Sequence, residues 1–356
     1  MRARLTTETK SSASRVTCQP EPPRGWDEFI ACHHRANLYH DPRWAELIRR
    51  CFSHQTFFLA CARESGETLE GILPLVYLKS RIFGKALVSM PYFNYGGLLA
   101  DTDAAAEQLV SAALRLQKEL GADYIELRQA APTPGGWPAK SHKVIMLLPL
   151  PGDPDSLWGS FKTKLRTRVR RAEKEGFSLH WGKQEFLDDY YSVFAENMRD
   201  LGTPVYSKDF FRAILQTFPE NSHVAALRQG DHCLAAGFLL CYRGNMEVPW
   251  SSSLRRFNHL SPNMLLYWHM LRQATLLGCR TFDFGRSTRG SGTYDFKEQW
   301  GAAPQETFWV YPGKDAGDLP DHSPQSKKYL WATRVWQKLP LSVTNRLGPL
   351  LVKNIP

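Results

Sequence analysis

Val224-Ala225-Ala226-Leu227-Arg228, a turn at Gly230, and Leu234-Ala235-Ala236-Gly237-Phe238-Leu239-Leu240 decide how this chain is read. Two apolar runs of strand length around a short polar turn predict a β-hairpin. The same pattern stands earlier, as Phe57-Phe58-Leu59-Ala60-Cys61-Ala62-Arg63, a turn at Gly66, and Leu69-Glu70-Gly71-Ile72-Leu73-Pro74-Leu75. In both copies Arg precedes the turn and Gly interrupts the returning strand. A glycine inside a strand marks a bulge or a close backbone approach.

The repeat extends outward from the hairpins. A helix is predicted over Ala104–Leu120, closed by Gly121, and another over Asn263–Leu277, closed by Gly278. Each leads into a short apolar strand that carries a carboxylate and ends in Arg: Tyr124-Ile125-Glu126-Leu127-Arg128 and Thr281-Phe282-Asp283-Phe284-Gly285-Arg286. A further strand follows in each, Val144–Leu148 and Thr307–Tyr311. Helices near Trp44 and over Leu187–Leu201 precede the two hairpins. Two α/β domains are expected, 26–150 and 151–320, divided at Pro149, Pro151 and Pro154. Residues 1–25 read as a disordered tail rich in Ser, Thr, Pro and Arg, and 321–356 as an amphipathic helical segment.

Composition narrows the class. Of 356 residues, 43% are hydrophobic and 22% charged, ordinary values for a globular protein. No apolar run is long enough for a transmembrane helix, and Met1–Pro20 lacks the apolar core of a signal peptide, so a cytoplasmic location is expected. Seven scattered cysteines without a C-x-x-C pair suit reduced thiols. The histidines show no H-E-x-x-H spacing, so no metal is expected, and neither G-x-S-x-G nor a P-loop is present. A formal charge of +10 favours anionic partners: nucleic acid, a nucleotide-linked substrate or an acidic membrane face.

Four further stretches are distinctive: Ser89-Met90-Pro91-Tyr92-Phe93-Asn94-Tyr95-Gly96-Gly97, the run from Phe194 to Pro204, Phe282-Asp283-Phe284-Gly285-Arg286-Ser287, and Gly292-Thr293-Tyr294-Asp295-Phe296-Lys297-Glu298-Gln299-Trp300-Gly301. With the repeat, they resemble the FemAB/FemX family of tandem GNAT-fold acyltransferases, over about residues 26–356. The nearest likeness is to the FemAB-like proteins associated with exosortase/PEP-CTERM and exopolysaccharide clusters. The resemblance implies two GNAT-like domains, each a mixed sheet flanked by helices. It also implies transfer of an acyl, aminoacyl or peptidyl group to an amine or sugar-linked acceptor in peptidoglycan or exopolysaccharide synthesis. A non-catalytic binding or scaffold module on the same fold is the competing reading.

Acyl transfer to an amine requires a polarised carbonyl and a place for the nucleophile's proton. By resemblance, Lys297 stabilises charge on the donor side; the bland alternative is a surface lysine beside a loop. Glu247 lies on the strand where GNAT enzymes keep a general base. Tyr206 donates a proton or lines the cleft, or else simply packs. Asp283 and Glu126 hold equivalent places in the repeat, each either a buried ion pair with a nearby Arg or a catalytic group. Substrate contacts are expected from Tyr92, Asn94, Tyr95, Asn197, Arg199, Trp250, Arg255, Arg256, Asp283, Arg286, Tyr294 and Phe296.

The donor stays open between aminoacyl-tRNA and acyl-CoA, with no tightly bound cofactor. GNAT enzymes cradle the CoA pyrophosphate with a glycine-rich turn at a helix N-terminus, and Ser251–Asn263 has no glycine. A basic helix over 161–175 opens tRNA contact, against the alternative of a solvated helix face. Trp331, Trp336 and several leucines alternate with Lys and Arg over 327–356, which fits either peripheral contact at the inner membrane face or helices packed on the domain.

Overall fold

A computed structural model describes residues 15–63, 68–81, 83–141, 143–320 and 327–355, with side chains omitted for 327–330. The expected turn at Gly66 and residues 1–14 of the expected tail lie outside the described residues. The rest of that tail corrects the reading: Arg15–Gln19 is a strand, antiparallel to Gln55–Ala62 at the edge of the first sheet.

Two mixed sheets form. The first runs Arg15–Gln19, Gln55–Ala62, Leu69–Ser80, Gly84–Val88, Tyr124–Gln129, Phe308–Val310, Ala139–Lys140, with Leu99–Ala100 paired to the third of these. The second runs Ala303–Glu306, Lys143–Pro149, Thr281–Thr288, Asn245–Ser253, His232–Tyr242, Ser222–Gln229, Ser178–Gly182. Both hairpins sit where expected, antiparallel. Each half has one parallel pair, Gly84–Val88 with Tyr124–Gln129 and Asn245–Ser253 with Thr281–Thr288. A parallel step needs a long crossover, and the helices Asp103–Leu120 and Pro262–Leu276 supply it. Thr102 caps the first of these by accepting from the Ala105 N–H, and Gly121 ends it at φ 59°.

The strand glycines explain how closely those helices pack. A Cβ on Gly71 would meet Leu109 Cδ1 at 2.8 Å and the Leu99 carbonyl oxygen at 3.0 Å; one on Gly237 would meet Met270 Sδ at 2.7 Å. In each half the glycine admits a side chain of the crossover helix.

The last strands of the two halves are exchanged. Lys143–Pro149, on the first-half side of the expected boundary at 150, is hydrogen bonded in the second sheet between Thr281–Thr288 and Ala303–Glu306. Phe308–Val310, from the second half, pairs with Tyr124–Gln129 in the first sheet. The sheets therefore do not divide at residue 150. A shared core reinforces the link: Trp44, Ile48 and Val88 pack with Tyr190, Phe194, Phe211 and Phe238.

The C-terminal helices Lys327–Gln337 and Leu341–Val352 pack on Leu187–Leu201. A Cβ on Gly348 would lie 2.8 Å from both the N and the O of Val205, so the second helix touches backbone directly.

Candidate functional site

The site grows from the second parallel pair. Asn245–Ser253 and Thr281–Thr288 stay in register for three residues, Asn245↔Thr281, Met246↔Phe282 and Glu247↔Asp283, and their pairing ends there. Both strands then bulge. Val248 and Pro249 stand opposite Leu239 alone, and Phe284 and Gly285 opposite Met146 alone. Pro249 cannot donate to a ladder, and Gly285 takes φ 73°, a left-handed conformation that favours glycine. The result is a splay with Glu247 and Asp283 at its base.

The first half closes over these carboxylates. Tyr39 OH donates to Glu247 Oε2 at 2.7 Å, and Asn94 Nδ2 lies 3.4 Å from Oε1. Tyr95 OH donates to Asp283 Oδ2 at 2.8 Å, and the Gly285 N–H donates to Oδ1 at 2.7 Å. Asn94 and Tyr95 belong to the segment Ser89–Gly97, whose backbone is left-handed at Met90 (φ 50°) and Tyr92 (φ 76°). Such strain persists only where surroundings fix it. Arg128 holds the segment by donating to the Phe93 carbonyl at 2.7 Å, and Tyr92 OH donates to the Lys353 carbonyl at 2.7 Å.

A cleft of about 280 Å³ opens here, lined by Tyr92, Asn94, Glu247, Trp250, Arg286 and Lys297 among others. A larger, more open groove of about 540 Å³ is lined by Arg24, Glu28, His33, His34 and Asp101 among others, and shares no residue with the cleft.

The electrostatics are unusual for two carboxylates. Burial pushes Glu247 well above the usual carboxylate range, and the charge of Asp283 pushes it further; Tyr39 and Asn94 act against this. Burial also raises Asp283, opposed by Tyr95, the Gly285 N–H and Lys297. Two adjacent buried carboxyls resist carrying two charges, so they titrate as a pair.

Lys297 is not the exposed loop lysine that one reading allowed. Gly292–Glu298 is a short helix capped by Ser291, and Lys297 is 8% exposed. Its Nζ donates to the carbonyls of Gly285 and Arg286, at 3.1 and 3.0 Å. It thereby braces the bulge. An ammonium has three N–H groups, so these two bonds leave one uncommitted on a residue that lines the cleft. Burial lowers it to about 8, with Asp283 opposing and Arg286 adding to the shift.

The exchanged strand contributes to the site. Trp309 lies under two guanidinium groups, Arg128 at 4.3 Å and Arg286 at 4.4 Å from the ring centroid. Arg128 is neutralised by Glu126, Nε to Oε1 at 2.9 Å, and Tyr311 OH donates to Glu126 Oε2 at 2.8 Å. The ion-pair reading therefore holds for Glu126 and not for Asp283, which takes a tyrosine and a backbone N–H instead. Arg286 reaches the surface and makes no ion pair among the described residues. Its guanidinium stays cationic at neutral pH.

The remaining candidates disperse. Tyr206 is outside the cleft lining and packs edge-on against Tyr92 and Trp250, with its phenol pushed well above its ordinary value by burial. A phenol so raised is a poor proton donor. Asn197 donates to Ser252 Oγ at 3.0 Å, and Arg199 pairs with Asp200 at 2.7 Å. Arg256 pairs with Glu196, and Arg255 is exposed on the 3₁₀ turn Arg255–Leu260. Tyr294 and Phe296 pack on the second core, Phe296 edge-on to Tyr267 at 4.9 Å. Sequence reading missed Tyr39 and Trp309. Neither carries a local signal, since each reaches the site only through contacts between the halves.

Residues 159–298 match a family described as acetyltransferase (GNAT) domain. Among solved structures, FemX is similar at 14% identity and a TM-score of 0.61, over 80% of this chain and 95% of that one. The C-terminal domain (DUF2156) assigned to a lysylphosphatidylglycerol synthetase of Agrobacterium fabrum is similar at 14% identity and a TM-score of 0.52, over 74% of this chain and 85% of that one. L-PGS of Bacillus licheniformis is similar at 13% identity and a TM-score of 0.51, over 84% of this chain and 98% of that one. No curated protein matches the sequence. At such identities these likenesses establish the fold alone: two mixed sheets flanked by helices, with a GNAT-type domain over residues 159–298 and an overall architecture similar to that of FemX.

Proposed function

We propose that the chain transfers an aminoacyl group from an aminoacyl-tRNA to an amine acceptor, with the chemistry at the Glu247–Asp283 splay. The observation that carries this reading is the cleft itself, which is lined by Glu247, Arg286 and Lys297, with Asp283 paired to Glu247 on the adjoining strand. The acceptor nitrogen attacks the ester carbonyl carbon of the donor. A C–N bond forms, the ester C–O bond breaks, and the leaving ribose oxygen takes up, by way of the carboxyl pair, the proton that the amine gives up. The carboxyl pair receives the proton lost by the amine; a base raised toward neutrality suits that task. Arg286 holds an anionic group of the donor, and the free N–H of Lys297 faces the developing oxyanion.

Two features favour aminoacyl-tRNA over acyl-CoA. Helix Pro262–Leu276 is entered from a 3₁₀ turn without a glycine cradle, at Ser261 with φ 55°. Helix Thr163–Glu173 exposes Lys164, Arg168, Arg170 and Arg171, and Arg168 reaches Gln299, beside the Lys297 helix, at 2.7 Å. A basic surface adjoining the site suits a polyphosphate chain. An acceptor of cell-envelope polymer synthesis is part of the same proposal. Native mass spectrometry of the purified chain, mixed with aminoacyl-tRNA or with acetyl-CoA, tests the donor. Retention of tRNA that weakens steeply with salt supports the reading, and retention of CoA alone overturns it.

A further inference from the structure

Seven large hydrophobic side chains are exposed among the described residues, and five of them gather in one region. Trp331, Val335, Leu347 and Leu350 lie on the two C-terminal helices, and Leu201 ends the helix on which both pack. Trp331 is 74% exposed, the highest value of the set. The hairpin itself is held in place. Thr344, Gly348 and Val352 face inward, and the Lys353 carbonyl accepts from His54 and from Tyr92, each at 2.7 Å. The outer face therefore belongs to a docked element and is not the unpacked side of a loose tail.

Charge specifies what could cover that face. Residues 327–356 contain six Lys or Arg and no Asp or Glu. Trp331, Arg334, Val335 and Lys338 follow the i, i+3, i+4, i+7 spacing of one helix face, and Arg346 adjoins Leu347. A symmetric contact with a second copy would set these cations against their own kind. An anionic surface that also accepts apolar groups is complementary to both features. No described helix is long and apolar enough to cross a membrane.

We propose that the outer face of the C-terminal hairpin docks on an anionic lipid bilayer, lying in the plane of its interface. Trp331, Val335, Leu347 and Leu350 enter the headgroup region, while Arg334, Lys338 and Arg346 meet lipid phosphates. Because Tyr92 lines the cleft and also holds Lys353, docking seats the cleft beside the bilayer. This inference stands on surface composition alone and is independent of the donor.

The test uses the full chain and vesicles of phosphatidylcholine with or without phosphatidylglycerol, read by co-sedimentation. Binding is expected only with the anionic lipid and falls as salt rises. Replacing three cations, Arg334→Gln with Lys338→Gln and Arg346→Gln, is expected to weaken it on the order of a hundredfold. Trp331→Ser with Leu350→Ser is expected to weaken it about tenfold or more, with an unchanged melting curve because both side chains are exposed. If either variant misfolds, the folded Trp331→Phe protein supplies the reading: the fluorescence it loses relative to wild type is the part expected to be shielded from acrylamide by anionic vesicles. Equal binding to both vesicle types, no binding, or variants that bind like wild type overturn the proposal. So does conversion of a dimer to a monomer by the Ser variant without any vesicle binding, which would make the face a protein interface.

Discussion

Tyr39 donates a 2.7 Å hydrogen bond to Glu247, which lies 208 positions further along the chain. The two halves thus meet on the carboxylate at the base of the splay, and the acidity of Glu247 is set from both sides. This bond opposes the upward shift of Glu247. Tyr39→Phe should raise Glu247 further and move the acid limb of the pH–rate profile to higher pH. Activity at pH 7 should fall more than activity at pH 9. An unshifted limb would separate Tyr39 from the proton chemistry.

Asp283→Asn should act in the opposite direction. Removing the neighbouring charge relieves the repulsion that helps hold Glu247 high. The acid limb should move to lower pH, and a pH titration of the variant beside wild type checks the sign.

The same shift has a consequence for stability. The folded state binds its proton on Glu247 more tightly than the unfolded chain, so stability falls as pH rises through the window between the ordinary value of 4.5 and the raised folded value. Glu247→Gln removes the titrating group. Thermal melts from pH 5 to 8 should therefore decline less steeply for Glu247→Gln than for wild type. Parallel curves would mean that Glu247 is not raised.

Lys297→Met should cost both stability and activity. Two carbonyls of the bulge lose their donor, and at the buried Gly285 carbonyl that loss costs about 1–3 kcal/mol. Arg286→Gln should differ from it. Arg286 makes no ion pair among the described residues, reaches solvent and stacks on Trp309, so donor KM should rise while stability falls only by the ~0.5–1 kcal/mol of an exposed cation–π contact. A cleft in which Arg286 does not hold the donor would show no KM change.

Gly71→Ala tests the fold away from the cleft. Its new methyl meets Leu109 at 2.8 Å and a backbone carbonyl at 3.0 Å, so the crossover helix must shift. Overpacking of this kind costs about 1–3 kcal/mol, read as a lower melting temperature.

These expectations divide by how local their cause is. The hairpins, the crossover helices and their glycine stops were legible because periodicity and capping are written in neighbouring residues: Gly121 and Gly278 are left-handed, as a helix stop requires. The strand exchange was not legible. Val144–Leu148 is equally apolar beside Tyr124–Gln129 or beside Thr281–Thr288, and only pairing across the halves decides. Glu247, Asp283, Asn94, Tyr92 and Arg286 were found in the sequence and converge. Lys297 was found, but its burial depends on a bulge at Gly285 that no pattern around Lys297 encodes. Tyr39 was missed because its partner is in the other half.

The central claim is that Glu247 accepts the acceptor amine's proton during acyl transfer. Single-turnover transfer from aminoacyl-tRNA to an amine acceptor, compared between wild type and Glu247→Gln at saturating donor, tests it directly. The account predicts a loss of about 10²–10⁴-fold in the chemical step, with donor affinity unchanged. Transfer by Glu247→Gln at the wild-type rate would contradict it.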